Sequence, residues 1–220
     1  MLKAVVFDVD GTLVDTVDLH AQAWVEAFKQ YGYNIPYSEL RQQIGKGGKK
    51  IVADFISQEE FEKVGQGITE FRKEYYQENL LFQVSPFERV RELFERLQAD
   101  GIKVVLATSA REKTLERYQK VLNIEDVIDG ATSTEDADES KPAPDIFEAA
   151  LSQVEGVDAS EALVVGDSPY DAQAAHKINL RPVGVLCGGF SAETLREAGC
   201  IKLYQDPAEI LENYQEFVSL

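Results

Sequence analysis

The chain has 220 residues, 39 of them acidic against 22 basic, for a formal charge of −17. That balance argues against broad contact with nucleic acid or an anionic membrane, and no apolar stretch approaches the roughly 20 residues of a membrane span. The length allows one large domain, or a core with a smaller attachment, around a sound core. The apolar run at residues 4–7 predicts a buried parallel strand. Where it stops, Asp8 and Asp10 stand two residues apart, and Gly11 lets the chain leave strand geometry. Two acids at the end of a buried strand are costly unless they bind a cation or share protons with a substrate.

A helical pattern runs from there to about Tyr31, with Leu19, Ala23, Ala27 and Tyr31 every fourth residue and Trp24 and Phe28 widening the stripe. Gly32 ends it. A short helix is expected over 38–44, then a glycine- and lysine-rich loop at 45–50. Helical pattern resumes at 51–56, and a longer stretch, interrupted near Gly65 and Gly67, reaches about Tyr76. Nothing between Val17 and Asn79 alternates like a strand, so this is an all-helical insertion. Ser85-Pro86-Phe87-Glu88 reads as a helix start, with Ser85 at the cap, Pro86 in the first turn and Glu88 placed for a capping box. Val90, Leu93, Phe94 and Leu97 form that helix's buried stripe, and Gly101 closes it.

A second buried strand follows over Lys103–Ala107, ending in Thr108-Ser109. A helix at about 112–122 leads to a weaker strand near 127–128, and Lys141-Pro142-Ala143-Pro144-Asp145 opens another helix. The strand at 162–165 is stopped by Gly166-Asp167-Ser168-Pro169. A helix to residue 178, a strand at 182–186, a short helix between Ser191 and Gly199 and a last one from Asp206-Pro207 complete the chain. Strands alternating with helices predict a parallel sheet with right-handed crossovers. Cys187 and Cys200 form no CxxC and no secretion signal precedes them, so they read as reduced thiols in a soluble cytoplasmic protein.

The chemistry-bearing residues fall just after predicted strands, where a parallel sheet gathers them on one rim. Singly each has a plain structural reading: Thr108 and Asp167-Ser168 as helix caps, Lys141 as a solvated loop lysine. Together and in this order they resemble the four motifs of the haloacid dehalogenase-like (HAD) superfamily. These are Asp8-x-Asp10-Gly11-Thr12, then Thr108, then Lys141 before Pro142, then Gly166-Asp167-Ser168-x-x-Asp171. The resemblance spans essentially the whole chain. It implies a doubly wound α/β, Rossmann-like core at 1–15 and 83–220, with a helical cap at 16–82 like that of the phosphoglycolate-phosphatase and β-phosphoglucomutase branch.

By that resemblance Asp8 is the nucleophile that forms an aspartyl-phosphate, and Asp10 the general acid and base. Thr108, with Ser109 beside it, binds a phosphoryl oxygen, and Lys141 offsets the charge of Asp8 and the phosphate. Mg²⁺ is implied, held by Asp8, Asp167 and the Asp10 carbonyl with Asp171 in support. The partner is a small phosphorylated metabolite, and the oligomeric state is left at monomer or weak dimer. Asp10 separates the chain from the dehalogenases and phosphonatases, which lack that acid. Gly166-Asp167 looks more like a phosphatase than the Glu-Asp of the mutases, whereas Asp15-Thr16, His20 and Trp24 look like the mutase's cap entry. His20 is either a hinge-surface histidine or a group that aligns Asp10. The loop at 45–50 is either a plain connection or a substrate loop whose Lys46 or Lys49 meets an anionic group on closure. A response-regulator receiver is about half this length and lacks the insertion. A non-catalytic binding protein of the fold would typically have lost a motif acid.

Overall fold

The computed structural model describes residues 1–133, 136–137 and 139–220. Its main sheet has six parallel strands: β1 (Ala4–Asp8), β4 (Lys103–Ala107), β5 (Gly130–Thr132), β6 (Ala162–Gly166), β7 (Arg181–Val185) and β8 (Lys202–Tyr204). Their spatial order is β5-β4-β1-β6-β7-β8. The chain leaves β1 toward β4 and β5, then crosses back to start β6 on the other side of β1. The crevice between the ends of β1 and β6 is therefore the topological switch point, where ligands bind in open α/β sheets.

Alternation along the strands separates two cores. Val5, Phe7, Val104 and Leu106 face a layer containing Phe94, Leu97, Tyr118 and Phe217. Ala4, Val6, Val105 and Val164 face Ile146, Phe147, Ala150 and Ala175. Helices α6 (Val90–Ala99) and α7 (Glu112–Leu122) serve the first layer, α8 (Asp145–Ser152) and α9 (Pro169–Lys177) the second.

The stretch between β2 (Val14–Asp15) and β3 (Ser85–Pro86) holds only helices among the described residues. They are α1 (Val17–Gln30), α2 (Tyr37–Arg41), α3 (Gly48–Phe55), α4 (Gln58–Glu60), a π-helical turn at Phe61–Gly65 and α5 (Gln66–Asn79), followed by a 3₁₀ turn at Leu81–Gln83. Trp24, Phe28, Leu40, Ile51, Val52 and Ile68 give this insertion a core of its own. It joins the sheet through the two-stranded antiparallel pairing of β2 with β3.

That pairing corrects the helix start expected at Ser85. Val14 pairs with Pro86 and Asp15 with Ser85, and Phe87 N–H donates to Leu13 O at 2.9 Å. Helix α6 begins only at Val90, after Arg89 in the left-handed region (φ 60°) and without a side-chain cap. A long-range partner took backbone groups that a capping box would have used. Gly65 does not break its helix either, because the π turn carries the chain through into α5. Helix α3 starts at Gly48, inside the expected loop, with Gly47 at its cap. The weak strand lies at Gly130–Thr132 rather than at 127–128. Strand β8 was not anticipated, and the C-terminal helix is two: α11 (Pro207–Glu212) and α12 (Tyr214–Phe217). The short helix before β8, α10 (Ala192–Glu197), has Ser191 as its cap, as expected.

Candidate active site

Asp8 ends β1 and is 6% exposed. The tight turn after it requires glycine at position 11: φ is +82°, and a Cβ there would lie 2.5 Å from Asp167 Oδ2. That close approach brings the rim of β1 against the rim of β6. The Thr12 hydroxyl lies 3.2 Å from Asp8 Oδ2 and 3.4 Å from Asp167 Oδ1, with one proton to share between them.

Lys141, 2% exposed, reaches into this cluster from the loop before α8. Its ammonium donates to Asp8 Oδ1 and sits 2.8 Å from Asp171 Oδ1. Asp171's other oxygen accepts from the Ser168 N–H at 3.0 Å and hydroxyl at 2.6 Å, a capping box that starts α9. The capping and cluster readings of this motif both hold, one on each oxygen of Asp171.

Asp8, Asp167 and Asp171 offer ligand oxygens all within 4.8 Å of one another. Three buried carboxylates face one ammonium. Burial, with repulsion from Asp171 outweighed in part by Lys141, pushes Asp8 up to about 7. Burial and the charges of Asp171 and Asp8 raise Asp167 far above the carboxylate range. Lys141 is raised despite its burial, because Asp171 and Asp8 hold the charged form. A dication would offset the repulsion that one ammonium leaves among three carboxylates, and the donor set is the hard carboxylate oxygen that Mg²⁺ takes. The residues present fit that ion.

Asp10 sits beyond the turn, and its environment is the opposite. Oδ1 accepts from Thr16 at 2.9 Å, His20 Nε2 at 2.7 Å and Tyr118 at 2.8 Å. Oδ2 lies 3.2 Å from the Thr108 hydroxyl. Burial works to raise its pKa, but the hydrogen bonds that His20, Tyr118 and Thr16 donate hold the carboxyl below its usual range. His20 is itself buried, which lowers its pKa. Arg72 Nη2 lies 2.8 Å from His20 Nδ1. A guanidinium only donates, so Nδ1 accepts and the neutral ring carries its proton on Nε2, aimed at Asp10. His20 is therefore not a surface histidine.

A cavity of about 720 Å³ opens over Asp8 and Asp10. The insertion supplies Lys46, Lys49, Lys50, Arg72 and Lys73 to its wall and, among the described residues, no acid. Lys46 pairs with Asp54, Lys50 donates to Ser140 O at 2.7 Å, and Lys73 lies 3.3 Å from Glu70. Lys49, exposed, and Arg72 have no carboxylate partner among the described residues. Ser109, also exposed, lines the opposite side. The insertion is seated on the sheet's rim: Gly47 N–H donates to Lys141 O at 3.3 Å, and Arg111, just before α7, donates to Glu70 of α5 at 2.6 Å.

Asp8, Asp10, His20, Lys49, Ser109 and Lys141 line this cavity, whereas Thr108, Asp167 and Asp171 do not line it and meet it through their contacts with Asp10, Asp8 and Lys141. Sequence reasoning placed Thr12 in the first motif without a role, and missed Arg72, Tyr76 and Tyr118. Arg72 and Tyr76, four apart on α5, share a face with Ile68, which with Tyr76 is that helix's buried side, and this spacing is the signal that could have found them. Nothing in the sequence marks Tyr118.

A parallel sheet with buried acids at its switch point, under a helical insertion, defines a class of hydrolase. Residues 5–185 match the family model described as haloacid dehalogenase-like hydrolase. The chain belongs to that family and is an enzyme. It is similar to a phosphorylated carbohydrates phosphatase of Thermotoga maritima, 29% identical over 98% of this chain and 99% of that one. It also resembles the pyrophosphatase PpaX of Oceanobacillus iheyensis, 24% identical over 100% of this chain and 96% of that one. The crystal structure of a hydrolase from Pseudomonas syringae superposes with a TM-score of 0.86 at 29% identity, covering 97% of this chain and 98% of that chain. No helix among the described residues is long and apolar enough to cross a membrane.

Proposed function

We propose that the chain is a Mg²⁺-dependent phosphatase that hydrolyses a small phosphate monoester through an aspartyl-phosphate on Asp8, the insertion at 16–82 acting as a cap over the core at 1–15 and 83–220. The observation that carries this reading is the juxtaposition on one cavity floor of two acids with opposite environments. Asp8 stands among carboxylates and a lysine, and Asp10 stands among hydrogen-bond donors. With no cation bound, these environments favour the proton on Asp8 and the anion on Asp10; a dication beside Asp8 and a phosphate dianion beside Asp10 would reverse that order, freeing Asp8 to attack and placing the proton on Asp10.

In the first step an Asp8 oxygen attacks phosphorus as the ester P–O bond breaks, and Asp10 gives its proton to the leaving oxygen. In the second, Asp10 takes a proton from water as the water oxygen attacks phosphorus, releasing phosphate and free Asp8. Lys141 and Thr108 neutralise and orient the phosphoryl oxygens, with Ser109 beside them. Asp8, Asp167 and Asp171, with the Asp10 carbonyl, would hold Mg²⁺, whose charge lets an ionised Asp8 face a phosphate dianion. The cap wall, cationic and free of acids in a chain of charge −17, favours an ester whose leaving group carries a second anionic group, met by Lys49 and Arg72. Lys46, tied to Asp54, is the less available of the two loop lysines.

One observation favours a phosphosugar mutase as second reading: His20 sits on Asp10 with Trp24 in the same cavity wall, as in the mutase-like entry to the cap. The test is Mg²⁺-dependent phosphate release across small phosphomonoesters, with β-glucose 1-phosphate plus a bisphosphate primer included. Release on a narrow subset, lost in Asp8→Asn, supports the phosphatase. Glucose 6-phosphate with little free phosphate would put the mutase first.

A further inference from the structure

Tyr118 projects from α7, a helix that supplies none of the expected motif residues, and is fully buried. Its hydroxyl lies 2.8 Å from Asp10 Oδ1 and 2.7 Å from the hydroxyl of Tyr76 on α5 of the insertion. Oδ1 can only accept, whether Asp10 is ionised or carries a proton on its other oxygen. Tyr118 therefore donates to Asp10, and Tyr76 must donate to Tyr118. The chain of donors has one direction, and it runs from the insertion into the sheet's rim.

With Thr16 and His20 also on Oδ1, that oxygen has three donors and no room for a proton. Oδ2 has, among the described residues, the Thr108 hydroxyl alone, at 3.2 Å. Thr108 Oγ1 accepts from Ala110 N–H at 3.0 Å, so its own proton can bond an ionised Oδ2, and a remaining lone pair can accept from a protonated one. Tyr76 also stacks on His20, with ring centroids 4.2 Å apart. The seating of α5 is thereby communicated to two of Asp10's partners, Tyr118 and His20.

We infer that Tyr118 is a positioning residue for Asp10: it anchors Oδ1 so that the transferable proton rides on Oδ2, and its bond from Tyr76 makes that anchor depend on a seated insertion. The inference rests on Asp10 being the acid of the proposed reaction. As the bond from Asp8 to phosphorus forms and the ester P–O bond breaks, the ester oxygen takes the proton from Oδ2, leaving Asp10 anionic. A rotated Asp10 would miss that oxygen. A leaving group that needs no proton would not register the loss.

The experiment compares kcat/KM, which reports on the first irreversible step, for an alkyl phosphate and for p-nitrophenyl phosphate. Tyr118→Phe should lose about 10-fold or more on the alkyl ester, the scale of one hydrogen bond to a carboxylate, and under about 3-fold on the nitrophenyl ester. Tyr76→Phe should show the same selectivity, to a smaller extent. The double variant, which leaves no hydroxyl orphaned, should match Tyr118→Phe alone, because the chain is already cut. Equal losses on the two esters would mean a structural role and overturn the inference, as would no loss on either. An unaltered Tyr76→Phe would overturn the link to the insertion. If the wild-type protein released phosphate from neither ester, nor from any in the panel above, it is the phosphatase reading that would fail.

Discussion

Replacing Asp8 by Asn tests the charge balance of the site independently of its chemistry. The neutral side chain keeps an oxygen for Lys141, and Lys141 keeps Asp171 2.8 Å away, so no buried ammonium is stranded. In the metal-free wild-type protein the folded-state pKa of Asp8 is raised from 3.8 to about 7. A raised folded-state value means that the folded protein binds the proton more tightly than the unfolded chain. The stability this contributes is complete below the unfolded value and is lost as pH rises through the folded one. At about 1.36 kcal/mol per unit, going from pH 5 to pH 8 removes roughly 2–3 kcal/mol, or roughly 5–10 °C in Tm for a chain of this size. Asp8→Asn removes this loss, so its stability advantage over wild type in EDTA should widen by that amount between pH 5 and pH 8. Asp167, raised by the same neighbours, keeps some slope in both proteins. The assay is thermal unfolding by circular dichroism at the two pH values, with phosphate release measured in Mg²⁺ alongside. An advantage that stayed flat or shrank would show that the attraction to Lys141 outweighs burial and repulsion. Retained turnover would remove Asp8 as nucleophile.

Three further outcomes follow from the same geometry. Mg²⁺ should raise the Tm of the wild-type protein more at pH 8 than at pH 5, since at the lower pH it competes with protons on Asp8 and Asp167, whose affinity for them is raised; a shift independent of pH would place the ion elsewhere. Lys49→Ala should lower kcat/KM for an ester with a second anionic group more than for its neutral counterpart, by about 5-fold or more on the scale of an exposed charge pair, and equal losses on both would sink the cap-loop reading. Gly47→Ala would place a Cβ 2.1 Å from that of Ser140 across the seam between insertion and core. It should cost about 10-fold or more in kcat/KM while Tm changes by under about 3 °C. Unchanged kinetics would mean that the insertion need not seat there.

The motif acids were legible because each sits where a hydrophobic run stops. The runs at β1, β4 and β6 had to be strands, and parallel strands place their ends on one rim whatever the details of packing. Asp8, Thr108 and Asp167 converge for that reason alone. Asp171 and Lys141, lying in the loop or helix beside such an end, were brought in by the resemblance rather than by pattern. The helical insertion was legible from its period.

Tertiary structure decided what short sequence windows carry no information about. Ser85-Pro86 has the composition of a helix start, but the backbone of β2, some 70 positions earlier in the chain, claims it as a strand. Strand β8 is three residues long, too short for alternation to show, and exists because β7 offers it an edge. His20 and Arg72 look like ordinary helix-surface residues until α1 and α5 pack together, aiming His20 at Asp10 and Arg72 at His20. Tyr118 reads as one more apolar position of an amphipathic helix, and only the fold puts its hydroxyl against a carboxylate 108 residues away. A side chain's local periodicity tells which face it lies on; which polar group waits on that face is settled by contacts distant in sequence, and those exist only once the chain has folded.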